Sequence, residues 1–418
     1  MTTERHAEPW GGPGPRQLAK LAALFAAALV LWLGVAERAR AADEPGAPGA
    51  RGSVAQIEPI GAYSALRLKV LLLAAGLQAR VTKGTHLYRV SYWSVTDGAP
   101  VLVSGLMTVP DGVAPRGTVV WMHGTHDARA DSLSNPGSEE GLLASALFAG
   151  GGYLVLAPDL VGLGVSKGPQ AYFVNASTVD VTFDFLRAAK GASAQANRPW
   201  NANLYLTGFS EGGHAAALLQ RALEQHPDPA WHVVAGAGIA GPYRLADISF
   251  PFALNGRSPG DSDYLATVSL SYATYYHRPL DSVLAQPYAQ SVAQLFDGDH
   301  SLAEIAKAMP SNPRLLFTPE VLAAFDGKGS DWFVDALRAN QIDHWAPRAP
   351  FRAYFGDNDV DVSPADAKAL VADAKALGGE AEAISVGPYD HGGSALHAAP
   401  LIRQWFDQLS AGAASGPS

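Results

Sequence analysis

Residues 203–221 read NLYLTGFSEGGHAAALLQR. The segment opens as a short apolar run, Asn203 to Thr207, which predicts a buried strand. It closes as His214 to Arg221, which predicts the start of a helix. Between them stands Gly208-Phe209-Ser210-Glu211-Gly212, a G-x-S-x-G pattern. A strand turning this abruptly into a helix forces the middle residue into an unfavourable backbone conformation and projects its side chain from the turn. The flanking glycines carry no Cβ, so strand and helix can approach closely. The hydroxyl then lies at a helix N-terminus, whose partial positive charge favours a developing anion. This context makes Ser210 the candidate nucleophile.

A serine hydroxyl is a weak nucleophile until a base takes its proton, and the base must itself be oriented by an acid. In chains with such an elbow the acid and then the histidine follow the serine. The acid is sought in RAYFGDNDVDVSPADA, residues 352–367, where a strand ends at Phe355 and a loop begins at Gly356. That loop holds Asp357, Asp359 and Asp361. Asp359 fits best, within a G-x-x-D-x-x-V-x-P pattern, and Asp357 is the runner-up. The base is sought in ISVGPYDHGGSALHAAPL, residues 384–401. There His391, beside Gly392 and Gly393 in a loop after the last strand, is free to point at the serine. His397 falls in the following helix, and His214 packs beside the elbow. His6, His226 and His300 have no context that favours catalysis.

The reaction also needs two backbone N–H groups facing the developing oxyanion, each worth roughly 3 kcal/mol of transition-state stabilisation. One is expected from Glu211, the residue after the nucleophile. The second is expected from WMHGTHDARA, residues 121–130, whose turn follows an early strand. The Thr125 amide is the assigned donor, with His126 as fallback and His123 shaping the loop by hydrogen bonding. A metal held by His123 and His126 would lack a clear third ligand, so no metal and no cofactor are expected.

Outward from this centre, TVVWM (118–122), YLVLA (153–157), 204–206, 233–239, 350–355 and 382–386 predict short buried strands. Helical patterns at 141–147, 180–190, 215–224 and 365–377 separate most of them. Continuous apolar strands alternating with helices indicate an α/β fold, a mostly parallel sheet with helices on both faces. An opening hairpin, 86–95 and 100–109, makes the sheet mixed, and 62–77 predicts a helix before it. Residues 243–346 break the alternation with helical patterns at 280–296, 301–309, 319–325 and 332–339. They are expected to form a helical cap over the sheet edge. Its aromatics, Phe250, Phe252, Tyr264, Tyr272, Tyr275, Tyr276 and Trp332, line an acyl pocket in one reading and the cap's own core in the other.

The chain has 418 residues, is 48% hydrophobic and carries net charge −9, which argues against a nucleic-acid partner. It contains no cysteine, so thiol catalysis, thiolate metal sites and disulfides are excluded. Arg16 and Lys20 precede the apolar run LAALFAAALVLWLGVA (21–36), and Ala39-Arg40-Ala41 offers a small-x-small cleavage site. This is the pattern of a signal peptide over 1–41. It implies a secreted or periplasmic protein; the alternative is an N-terminal membrane anchor, for which the run is short. A flexible leader (42–56), a core of 57–242 and 347–410, and a disordered tail (411–418) complete the expected organisation.

Five blocks now stand in order: HGT at 123–125, APDLVGLG at 157–164, GFSEGGHAA at 208–216, FGDNDVDVSP at 355–364 and DHGGS at 390–394. Together they resemble the α/β-hydrolase superfamily, and within it the secretory lipase and esterase family, from about Tyr88 to Leu409 outside the cap. The resemblance implies Ser210 as nucleophile, Asp359 as acid, His391 as base, and the amides of Thr125 and Glu211 as oxyanion donors. It implies a carboxylic-ester hydrolase working through an acyl-enzyme, on a small-molecule or lipid ester, with transient contact to a lipid interface as a further expectation. A peptidase, an acyltransferase and a silent binding module on the same fold are the alternatives. Glu211 departs from the family's usual glutamine, and Leu160 from its usual tyrosine. A carboxylate at 211 would raise the histidine's pKa and disfavour anionic substrates.

Overall fold

The computed structural model describes residues 48–300 and 302–414. The expected signal peptide and the leader up to residue 47 lie outside the described residues. Nine strands make one sheet: β1 (Val54–Tyr63), β2 (Thr85–Thr96), β3 (Ala99–Pro110), β4 (Thr118–Met122), β5 (Leu154–Pro158), β6 (Asn203–Phe209), β7 (His232–Ile239), β8 (Phe351–Phe355) and β9 (Ala381–Ser385). Their order is β1-β2-β3-β5-β4-β6-β7-β8-β9. The pairings β1/β2, β2/β3 and β3/β5 are antiparallel. The pairings from β5/β4 to β8/β9 are parallel.

The apolar runs have a direct cause. In β4, Val119 and Trp121 enter the core on one face, while Val120 and Met122 enter the core on the other. A strand covered on both faces cannot alternate with polar residues. The first face is covered by α1 (Ala65–Ala74), α2 (Glu139–Phe148) and α12 (His391–Ala414), through Leu68, Phe148, Ile402 and Phe406. The second is covered by α3 (Asn175–Gln195) and α4 (Glu211–Gln225), through Val181, Phe185 and Leu219. The helix α11 (Pro364–Ala376) packs Leu370 and Val371 with Leu218 and Phe351.

Three local expectations change. Val54–Tyr63 is an antiparallel strand paired with β2, so the leader ends before Val54 and no helix starts at Ala62. Pro59 and Gly61 hid it: they disfavour a strand interior, yet they sit at an edge, where the register shifts between them. At the other end α12 runs to Ala414, so residues 411–414 of the expected disordered tail are helical, and residues 415–418 lie outside the described residues. In the cap, 280–296 is a 3-10 turn at Leu280–Ser282 followed by the helix α7 (Tyr288–Leu295); Pro287, between them, has no N–H to continue a helix.

The rest of the cap is α5 (Phe250–Ala253), α6 (Asp261–Tyr275), α8 (Leu302–Ala308), α9 (Pro319–Phe325) and α10 (Trp332–Asn340). Its core gathers Phe250, Tyr272, Phe317 and Phe333. The helix α6 had no amphipathic signature because nearly all of it is buried, which erases the polar stripe that marks a surface helix. Among the described residues no helix is long and apolar enough to cross a membrane.

The strand order reverses at β4, which lies between β5 and β6. In open α/β sheets the crevice beyond the strand ends at such a point is where ligands bind. The loop after β4 and the elbow after β6 meet there, since Met122 pairs with Gly208.

Candidate active site

Ser210 occupies φ 57°, ψ −118°, a positive-φ conformation that L-residues avoid. Its amide donates to the Ile239 carbonyl at 2.8 Å, which pins the turn to β7. The glycines are sterically required. A Cβ at Gly208 would sit 2.4 Å from the Met122 carbonyl oxygen, and one at Gly212 would sit 1.9 Å from the same atom.

His391 Nε2 lies 2.9 Å from Ser210 Oγ, and its Nδ1 lies 2.7 Å from Asp359 Oδ2. The other oxygen of Asp359 accepts the amides of Asp361 at 3.0 Å and Val362 at 2.9 Å. The buried carboxyl is thus fixed by its own loop and keeps its second oxygen for the imidazole. The Phe209 ring packs on His391 with centroids 4.6 Å apart. His391 is the first residue of α12 and not a loop residue as expected; its imidazole still reaches the serine from the helix end. Three side chains from segments that follow β6, β8 and β9 therefore converge, with an imidazole bridging an alcohol and a carboxylate.

The other candidates lie elsewhere. Asp357 is exposed and accepts from the Ser385 hydroxyl. His397 stacks on Tyr389 at 3.6 Å. His214 is buried against the Pro242 carbonyl and Asn175, and burial pushes its pKa down to about 4. His226 ends α4 at its far end from the serine, and His300 pairs with Asp297. His6 lies outside the described residues.

The loop 123–126, expected to supply an oxyanion donor, borders the same cavity as Ser210 through Thr125. Thr125 and Ser210 line one cavity with His391, and among the described residues neither the Thr125 nor the Glu211 amide has a hydrogen-bond acceptor. His123 is held between the carbonyls of Gly124 and Asp159, at 2.6 and 3.1 Å. His126 pairs with Glu140 at 3.0 Å. Burial alone would raise the Glu140 carboxyl, but the His126 hydrogen bond and charge outweigh it and hold the carboxyl below its ordinary value.

Sequence reasoning missed two residues here. Glu140, at the start of α2, accepts from Trp121 Nε1 at 2.7 Å and from the Gly124 amide at 3.2 Å as well as meeting His126. Tyr172 holds its hydroxyl 2.7 Å from Thr125 Oγ1. Neither lies near a motif, and only the sequence Ser138-Glu139-Glu140 marked a helix start there.

The surroundings of Glu211 oppose the charge expected of it. Its side chain is buried and Oε2 has no hydrogen-bond partner among the described residues. Burial, then the nearby Glu140 and Asp127 carboxyls, push its pKa well above the ordinary value. A shift in that direction weakens the charge attraction by which it would raise the histidine's pKa.

No protein-family model and no curated protein sequence matches the chain. Solved structures do. A Legionella pneumophila protein provisionally classed as a hydrolase superposes with a TM-score of 0.79 at 25% identity, over 85% of this chain and 98% of its own. A mutant form of the rice cell wall degrading esterase LipA from Xanthomonas oryzae superposes at 0.77 and 24% identity, over 86% of this chain and 100% of that one. Candida antarctica lipase A in its closed state superposes at 0.66 and 16%, over 88% and 84%. The nine-stranded mixed sheet, the elbow at the strand-order reversal and these superpositions identify the chain as having the α/β-hydrolase fold.

Proposed function

We propose that this chain is an exported serine carboxylic-ester hydrolase. The observation that carries this reading is the line of contacts from Ser210 through His391 to Asp359, at 2.9 and 2.7 Å. The neighbours named esterase and lipase share the fold and support the same class of chemistry.

In this mechanism Ser210 Oγ attacks the ester carbonyl carbon while His391 Nε2 takes the hydroxyl proton. Asp359 keeps Nδ1 protonated and stabilises the imidazolium. The carbonyl oxygen becomes an oxyanion facing the amides of Thr125 and Glu211 at the N-terminus of α4. The tetrahedral species collapses, the C–O bond breaks, and His391 returns its proton to the leaving alcohol. Water then gives a proton to His391 and adds to the acyl-Ser210 carbonyl. A second collapse releases the acid and restores the serine.

The reading predicts that wild type hydrolyses p-nitrophenyl acetate and is labelled by a fluorophosphonate. Ser210→Ala should lose both, with kcat reduced by about 10⁴-fold or more. Undiminished turnover in the variant would refute the assignment. Export is proposed from residues 16–41, with the mature chain starting near Ala42. N-terminal sequencing of secreted protein checks it, and a mature chain that still begins before Leu21 sinks it.

A further inference from the structure

The cavity that contains Ser210, Thr125 and His391 is small, about 60 Å³. Much of its lining is apolar or aromatic: Phe173, Leu245, Phe250, Tyr264, Leu265 and Val268. An apolar protein cavity of about 150 Å³ takes up benzene, a six-carbon ring. On that scale the space beside Ser210 holds about two to three carbons.

The wall has no slack behind it. Phe250 packs against Phe325 and Phe333, with ring centroids 5.6 Å away in both cases. Receding to admit a longer chain would break the cap's own core. A larger cavity, about 590 Å³, lies near the site but is lined by Trp121, Leu143, Phe209 and Leu396 and by neither Ser210 nor His391. The Phe209 ring lines this larger cavity and packs on His391.

The cap is also tied down at three places around the site. Ser258 donates to Asp361 at 2.7 Å, which joins the cap to the loop that carries Asp359. Ser271, on α6, donates to the Gln170 carbonyl at 2.6 Å and accepts the Tyr172 amide at 3.2 Å. Asn340, at the end of α10, accepts the Asn175 amide at 2.9 Å, and the Asn175 side chain donates back to the Asn340 carbonyl at 2.8 Å. A lid that swings open at a lipid surface would have to break all of these.

Resting on the ester-hydrolase reading, we propose that the substrates are esters of short acyl groups, about two to four carbons, hydrolysed in solution beneath a cap that stays closed. Tyr264 is one of the residues that line this cavity. It is half-buried, so its truncation opens space without hollowing the cap core.

The test is the chain-length profile of p-nitrophenyl esters from acetyl to palmitoyl, measured on the purified full chain with and without an emulsion. The expected kcat/KM peaks between acetyl and butyryl and drops by about 10-fold or more with the first methylene that does not fit. The rate should not jump as substrate passes its solubility limit. Tyr264→Ala should raise the octanoyl-to-acetyl ratio of kcat/KM by at least about 10-fold, and Val268→Ala should move it the same way. A wild-type optimum at octanoyl or longer overturns the proposal, as does activation at the emulsion surface. No change of ratio in either folded variant removes the assignment of the wall. No hydrolysis at any chain length refutes the ester-hydrolase reading itself, which a short optimum or a long one would leave standing.

Discussion

Glu211 follows Ser210 directly and, in the proposed mechanism, supplies a backbone donor, so its side chain cannot avoid the neighbourhood of the serine. In water a glutamate is charged at neutral pH, and a charge here would oppose the oxyanion. Desolvation, then the nearby Glu140 and Asp127 carboxyls, push this buried carboxyl toward its neutral form. Glutamine mimics that neutral form. Glu211→Gln should therefore leave kcat/KM little changed near neutral pH. As pH rises through the folded pKa of Glu211, wild type should lose activity by about 10-fold per pH unit and the variant should not. Matching alkaline limbs in the two pH–rate profiles would show that the carboxyl has no such role. The glycines at 208 and 212 were legible from sequence because the motif encodes a clash, whereas the upward shift of the Glu211 carboxyl was not, since it depends on what the fold packs around it.

Between β4 and α2, the loop 123–126 carries the Thr125 amide, and Glu140 braces it from below through Trp121, Gly124 and His126. Glu140 is a positioning residue, distant from Ser210 in sequence and acting only through that loop. Glu140→Ala leaves an indole N–H, a backbone N–H and an imidazole without their acceptor. We expect kcat to fall by up to about 10²-fold, the scale of losing one oxyanion donor, with KM nearly unchanged. Glu140→Gln, which can still accept from Trp121 and Gly124, should recover part of the loss. An equal rise in KM, or a Glu140→Gln variant as impaired as Glu140→Ala, would point to general unfolding of the loop instead. At this scale the parallel strands were readable as apolar runs. The edge strand β1 and the buried helix α6 were not, because one contains Pro59 and Gly61 and the other has no polar face.

Across the molecule, buried ionisable groups bound the pH range of stability. His214 has a folded pKa of about 4 against an ordinary 6.5, chiefly from burial. The unfolded chain takes its proton first, so stability present above pH 6.5 is lost as pH falls toward 4. Asp366 behaves in the opposite sense. Burial raises it from 3.8 to about 7, although the Arg244 amide and the Ser249 hydroxyl lower it in part. Its contribution is present below pH 3.8 and is lost as pH rises through about 7. Asp261 and Asp263, pushed up to about 6 by burial, act in the same direction. Asp366→Asn keeps an acceptor for both donors and removes the titration. Its Tm should exceed that of wild type by a few degrees at pH 8, and the gap should narrow as pH falls and close only below pH 3.8. A gap independent of pH would rule Asp366 out as the titrating group.

The amino-acid order by itself determined the elbow, the identity of the three converging side chains and the α/β layering. Each of these rests on local rules: glycine where a Cβ would clash, apolar runs where both faces are covered, and chemistry-bearing residues in segments that follow strands. Tertiary structure alone decided the size of the cavity beside Ser210, the ties of the cap, the contacts of Glu140 and the burial that shifts Glu211. These depend on distances between segments far apart along the chain, and on how much water the packing excludes, which no local pattern encodes.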